Sequence, residues 1–133
     1  MLKLLLDTNV VIRFATDPGK LSREQKRVIA DHERTGCPFG ISAISLMEIA
    51  ILHADGSTRI KGDLRRLIDL VDENPLFRIL PVTVEIAQEV AAFCGFVRDP
   101  ADRALVATAR VHRLKLLTAD QRIAESQLVP VIS

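Results

Sequence analysis

Four acidic residues stand where they could do chemistry: Asp7, Glu48, Asp102 and Asp120. Asp7 ends the apolar run Leu2-Lys3-Leu4-Leu5-Leu6, and Asp120 follows Lys115-Leu116-Leu117-Thr118. Asp102 lies in the first turn of a helix opened by Asp99-Pro100. Glu48 is the lone acid in the apolar stretch Ser42 to Leu52. Carboxylates gathered in one cleft repel each other, and a divalent cation removes that conflict. An all-oxygen ligand set favours Mg²⁺ or Mn²⁺ over zinc. Such an ion binds phosphate and makes water nucleophilic, so the chemistry open to this set is metal-assisted hydrolysis of a phosphodiester.

That chemistry requires elements that bring the acids together. Leu2 and Leu4 to Leu6 read as a strand buried on both faces, as in a parallel sheet. A short helix over Asn9 to Phe14 is expected next, capped by Thr8 or Asn9. Asp17-Pro18-Gly19 is a turn, and Ser22 with Gln25 forms a capping box for a polar surface helix running to about Arg34. His32 on that helix is expected to be solvated. Phe39-Gly40-Ile41 is a strand, and Ser42 to Leu52 a helix apolar almost all round and therefore buried. A helix is expected over Arg59 to Asp72, a strand over Phe77 to Val82, and a helix capped by Thr83 and stopped at Gly95. The helix Pro100 to His112, the strand Lys115 to Thr118, a short helix near Ile123 and an edge strand over Leu128 to Ile132 complete the chain. Strands alternating with helices predict an α/β fold with a parallel sheet. In such a sheet the strand C-termini and the helix N-termini that follow them share one edge. Asp7, Asp102 and Asp120 can meet there, and Glu48 joins if its helix starts at that edge.

Each acid also has a structural explanation. Asp7 or Asp120 can cap the helix that follows it, Asp102 can complement a helix dipole, and Ser45-Leu46-Met47-Glu48 matches a capping box. Asp99 reads as a helix cap. Each acid alone is a weak signal; their shared placement raises the functional reading.

Composition narrows the classes. A chain of 133 residues, 48% hydrophobic, suits one globular domain with a real core. The formal charge of +1 neither predicts nor excludes a local basic patch. With no Trp or Tyr and five Phe, a base-stacking platform for single-stranded nucleic acid is disfavoured. Cys37 and Cys94 lack CxxC spacing and are expected to be reduced core thiols. No signal segment or membrane span is evident, so a soluble cytoplasmic protein is expected.

At Leu5-Leu6-Asp7-Thr8-Asn9, Ser42 to Ala50, Asp99 to Ala109 and Leu117-Thr118-Ala119-Asp120 the chain resembles the PIN-domain ribonucleases, most closely the VapC-type toxins of type II toxin–antitoxin pairs. The resemblance spans nearly the full length and implies a single PIN domain over residues 1–133, with about five parallel strands flanked by helices. It implies Mg²⁺- or Mn²⁺-dependent cleavage of RNA, with Asp7, Glu48, Asp102 and Asp120 as the catalytic, metal-binding acids. Thr8, Asn9 and Thr118 would orient them. A cognate antitoxin and a homodimer are the implied partners. Arg13, Arg103, Arg110 and Arg113 are candidates for holding the RNA backbone. Ala101 stands where the family often has an aromatic residue, and Ala119 where it often has Asn or Thr; neither change removes a ligand. The alternatives are an RNA-processing nuclease of the same fold without an antitoxin, and a PIN-like binding module that no longer cuts.

Overall fold

The computed structural model describes residues 2–56, 62–93 and 97–133. Five parallel strands form one sheet: β1 (Leu4–Leu6), β2 (Phe39–Ser42), β3 (Phe77–Leu80), β4 (Lys115–Leu117) and β5 (Val131–Ile132), in the spatial order β3-β2-β1-β4-β5. The helices are α1 (Thr8–Thr16), α2 (Arg23–Thr35), α3 (Ala43–Ala54), α4 (Leu64–Glu73), α5 (Val84–Ala91), α6 (Pro100–His112) and α7 (Gln121–Ser126). The α/β architecture with a parallel five-stranded sheet is the expected one.

The leucine run is the centre of the sheet. Leu5 pairs with Gly40 on one side and with Leu116 on the other. Alternation sends Leu4 and Leu6 into the core with Val10, Ile29, Phe39 and Ile49, and Leu5 into the opposite core with Leu105, Val106 and Leu116. All three are buried, as a strand covered on both faces requires. From β1 the chain fills the sheet toward β3, then crosses back to lay β4 on the other side of β1. The strand order therefore reverses between β1 and β4, and the edge outside their C-termini is a crevice.

Most boundaries follow the local chemistry. Ser22 and Gln25 form the reciprocal capping box of α2, and Gly36 closes that helix in the left-handed region at φ 73°. Thr83 caps α5, and Asp99 caps α6. The edge strand β5 is shorter than the expected Leu128 to Ile132: it begins at Val131, just after Pro130, whose carbonyl accepts from the Leu116 amide at 2.9 Å.

Several expectations are corrected. Helix α1 begins at Thr8, one residue earlier than expected, and Asp7 occupies its N-cap position. Strand β3 ends at Leu80, before Pro81. Within the described residues α4 starts at Leu64 behind the cap Asp63, because Gly62 sits at φ 89° and cannot continue a helix. The expected start at Arg59 and Cys94 lie outside the described residues, while α5 ends at Ala91, short of the expected stop at Gly95. Cys37 is half-buried and no core thiol. His32 is not a solvated side chain: its ring stacks on Phe39 with centroids 4.9 Å apart, and Nδ1 lies 3.0 Å from the Val28 carbonyl. Helix α3 is not buried all round. Ser45 and Ile49 are inside, while Met47 and Ile51 are about half exposed, at 53% and 51%.

Gly40 lets β2 lie against β1. A Cβ there would stand 3.2 Å from Leu2 Cδ2, the Leu4 carbonyl oxygen and Leu80 Cδ1. The carbonyl belongs to the central strand and cannot swing away. Gly40→Val should cost about 1–3 kcal/mol from overpacking. Urea unfolding followed by circular dichroism would measure it, and an unchanged midpoint would show that the strands can separate freely.

Candidate active site

A cleft of about 520 Å³ opens at the C-terminal edge of β1 and β4. Asp7, Glu48, Asp102 and Asp120 all line it, together with Asp99, Thr8 and Asn9. Its apolar wall is built from Ile44, Met47, Ile51 and Leu52 of α3. No Lys or Arg is among the described residues lining it.

Asp7 follows β1 directly and is 5% exposed. It stands at the N-cap of α1, yet its side chain makes no cap bond to that helix. Oδ2 instead accepts from the Thr118 hydroxyl at 2.6 Å. The capping explanation of Asp7 therefore fails: the carboxylate turns across to β4. Thr118 is fully buried, and its Oγ1 also accepts from the Asp120 amide at 3.0 Å. One hydroxyl thus orients Asp7 and fixes the backbone of Asp120.

Asp120 caps α7, accepting from the Arg122 amide at 2.9 Å through Oδ1. Asp99 caps α6 by accepting from the Ala101 and Asp102 amides at 2.9 and 3.1 Å. Asp102, third residue of α6, is then carried one turn inward to the cleft. For Glu48 the capping box fails, because α3 starts at Ala43 with Ser42 as cap and Ser42 Oγ accepting from the Ile44 amide. Glu48 lies further along the helix, and its Oε1 is 2.5 Å from Thr8 Oγ1. The Thr8 and Ser45 hydroxyls are 2.9 Å apart. Ser45 was visible to sequence reasoning only as a cap. Its i, i+3 spacing to Glu48 was the available signal that both share a helix face.

The candidate RNA-holding arginines stand outside the cleft. Arg13 is on α1. Arg103 Nε donates to the Val97 carbonyl at 2.8 Å and ties down the approach to α6. Arg110 reaches Glu89 Oε1 at 2.6 Å and the Leu128 carbonyl at 2.7 Å, and lies over the Phe93 ring. Arg113 closes α6 in the left-handed region at φ 56°, just before β4 and so at the opposite sheet edge.

Crowding of like charge is visible in one group. Burial, followed by the charges of Asp7, Asp99, Asp120 and Glu48, pushes the Asp102 carboxyl from 3.8 up to about 7. Among the described residues no three His, Cys, Asp or Glu side chains already stand close enough to hold a metal ion. The donor set is nonetheless all oxygen, as hard divalent cations require, and its carboxylates share one cleft.

The raised Asp102 value has a stability consequence. A carboxyl whose folded value lies above its unfolded one keeps its proton in the fold while the unfolded chain releases it. Stability from this group is therefore full below pH 3.8, falls as pH rises, and is lost above about 7. In chelator, Asp102→Asn should be neutral near pH 4 and stabilising by about 1–2 kcal/mol above pH 7, after discounting for a carboxyl half open to solvent. Denaturant melts of both proteins across this range test it, and parallel curves would contradict the shift.

The PIN domain family matches residues 4–127. The chain is 27% identical to Ribonuclease VapC22 of Mycobacterium tuberculosis over 124 residues, which cover 92% of this chain and 91% of that protein. Its fold is similar to that in the crystal structure of VapBC2 from Rickettsia felis bound to a promoter DNA fragment. That match has a TM-score of 0.73 and 12% identity, over 99% of this chain and 98% of the other. It is also similar to that in DNA-bound VapBC from Salmonella typhimurium, with a TM-score of 0.71 and 21% identity over 99% and 98%. With the family match running from β1 to the end of α7, and with the acids gathered at the sheet's switch point, the chain belongs to the PIN-domain family.

Proposed function

We propose that the chain is a divalent-metal-dependent endoribonuclease and the toxin of a toxin–antitoxin pair. The observation that carries this reading is the shared cleft of Asp7, Glu48, Asp102 and Asp120, with no basic side chain among its described lining. A phosphodiester can enter such a cleft only with a cation to offset the repulsion. Membership of the PIN family and likeness to a ribonuclease support RNA as substrate. Likeness to VapBC structures supports an antitoxin as partner. The free toxin is expected to be a cytoplasmic homodimer.

When bound to these four acids, Mg²⁺ or Mn²⁺ supplies a Lewis acid for the phosphate and lowers the pKa of a water. The chain's own groups do the rest. Thr118 holds Asp7 in one rotamer, so that carboxylate meets its ligand without reorganising. Thr8 holds Glu48, which serves as a ligand or accepts the attacking water's proton. Asp120 keeps Oδ1 on its helix and has Oδ2 for the site, directly or through water. Asn9 lines the cleft and extends its polar wall. Arg13, Arg103, Arg110 and Arg113 stand outside the cleft, so any phosphates they hold belong to flanking nucleotides.

Purified, antitoxin-free protein should cleave RNA with Mg²⁺ or Mn²⁺ and not with chelator. Thr118→Val should lower the rate about 10–100-fold, as loss of an orienting hydrogen bond does, and Asp7→Asn should lower it further while leaving the fold intact. Expression should arrest growth, and Asp7→Asn should relieve the arrest. A metal-loaded, folded wild type inert on a broad RNA panel would sink the nuclease reading. Equal growth of wild type and mutant would sink the toxin reading.

A further inference from the structure

Three oxygens lie in a row where α1 meets α3. Ser45 Oγ is 2.9 Å from Thr8 Oγ1, which is 2.5 Å from Glu48 Oε1. Ser45 is fully buried and Thr8 is 5% exposed, so water does not compete freely for these hydroxyls. A hydroxyl has one proton to donate, and an ionised carboxylate has none. Charge-assisted donation to a carboxylate is the stronger of the two bonds open to Thr8. Thr8 therefore donates to Glu48, and Ser45 supplies the proton of the bond between the hydroxyls. Without Ser45 the Thr8 oxygen loses the donor on its other side, and the bond to Glu48 alone orients the hydroxyl.

We propose that Ser45 is a positioning residue for Glu48, committing the Thr8 proton to that carboxylate and so holding it in one rotamer at the cleft wall. Ser45 touches neither substrate nor reacting atoms; it acts through Thr8. The ties join two elements: Thr8 opens α1 directly after Asp7, while Ser45 and Glu48 share a face of α3. The spacing between the first acid and the second is therefore set through hydroxyl contacts as well as through packing of the helices. The catalytic consequence rests on the nuclease reading above; the rotamer claim does not.

The test uses the full chain, with Ser45→Ala and with Ser45→Cys, which keeps the volume but donates weakly. Both should lower kcat on RNA about 10–100-fold, with KM for RNA within about twofold, since binding of the flanking strand is untouched. Ser45→Thr, which restores the hydroxyl, should recover most of the rate. In a Thr8→Val background the Ser45 changes should add nothing, because their effect passes through Thr8. Two readouts are independent of turnover. Mn²⁺ affinity by calorimetry should weaken about tenfold in Ser45→Ala, and the carbon-13 side-chain carboxyl signal of Glu48 in metal-free protein should shift or broaden. Wild-type kcat, Mn²⁺ affinity and carboxyl signal in Ser45→Ala and Ser45→Cys would overturn the proposal and leave the nuclease reading standing. A wild type inert toward RNA would remove that reading, and the carboxyl signal alone would then decide the role of Ser45.

Discussion

The most demanding constraint in this fold is the near-complete burial of the Asp7 carboxylate at the end of the central strand. A buried charge is costly unless it is hydrogen-bonded or neutralised. Asp7 meets part of that cost through the Thr118 hydroxyl, a charge-assisted bond worth about 1.5–3 kcal/mol. That bond exists only if β4 lies beside β1 in the observed register, with Leu6 opposite Leu117. The register also brings the Asp7 amide to the Leu117 carbonyl at 2.9 Å. Chain topology, strand pairing and the position of the first acid are thus one constraint seen at three scales. The other acids then gather around a group that cannot retreat, and the Asp102 carboxyl, through its own burial first and the charge of its neighbours second, is pushed up to about 7.

The sheet was legible because its strands are short, apolar and punctuated. Leu4 to Leu6 has nothing polar to face water, so burial on both sides was the only consistent placement, and the switch point follows from strands alternating with helices. Caps were equally legible where a side chain and its amide partner are two or three residues apart, as at Ser22, Thr83 and Asp99. Asp7, Asp102 and Asp120 could be assigned to one edge for the same reason: each stands at a junction whose place in an α/β layer is determined by topology. Glu48 joins them because α3 starts at that edge, and all four line the cleft there.

What escaped sequence reasoning depends on long-range partners. His32 has the sequence context of a solvated helix face, and only the fold sets Phe39 beneath its ring. Asp7 has the local look of a cap, and only Thr118, far along the chain, turns it away from α1. Apolar density in α3 implied burial all round, but a helix is covered only by what is available to pack on it. Ile49 faces the core, whereas Met47 and Ile51 are left on the rim of the acidic cleft. Arg110 likewise has partners that only the fold supplies: Glu89, Leu128 and Phe93, through which it ties α6 to α5 and to the segment before β5.

The hydroxyls explain how a repelling cluster can still be rigid. Direct pairing of acids with basic side chains would have neutralised the cleft and removed its attraction for a cation. Hydroxyls orient a carboxylate without cancelling its charge. Thr118 does this for Asp7, and Thr8 for Glu48, while Asp120 and Asp99 are held by backbone amides at helix starts. The cleft thus keeps its negative potential and much of its geometry at once. Asp102 is the exception, for no hydroxyl holds it among the described hydrogen bonds and its own burial favours the neutral form. It is accordingly the acid whose charge state is decided last, by whether positive charge is present to offset its neighbours.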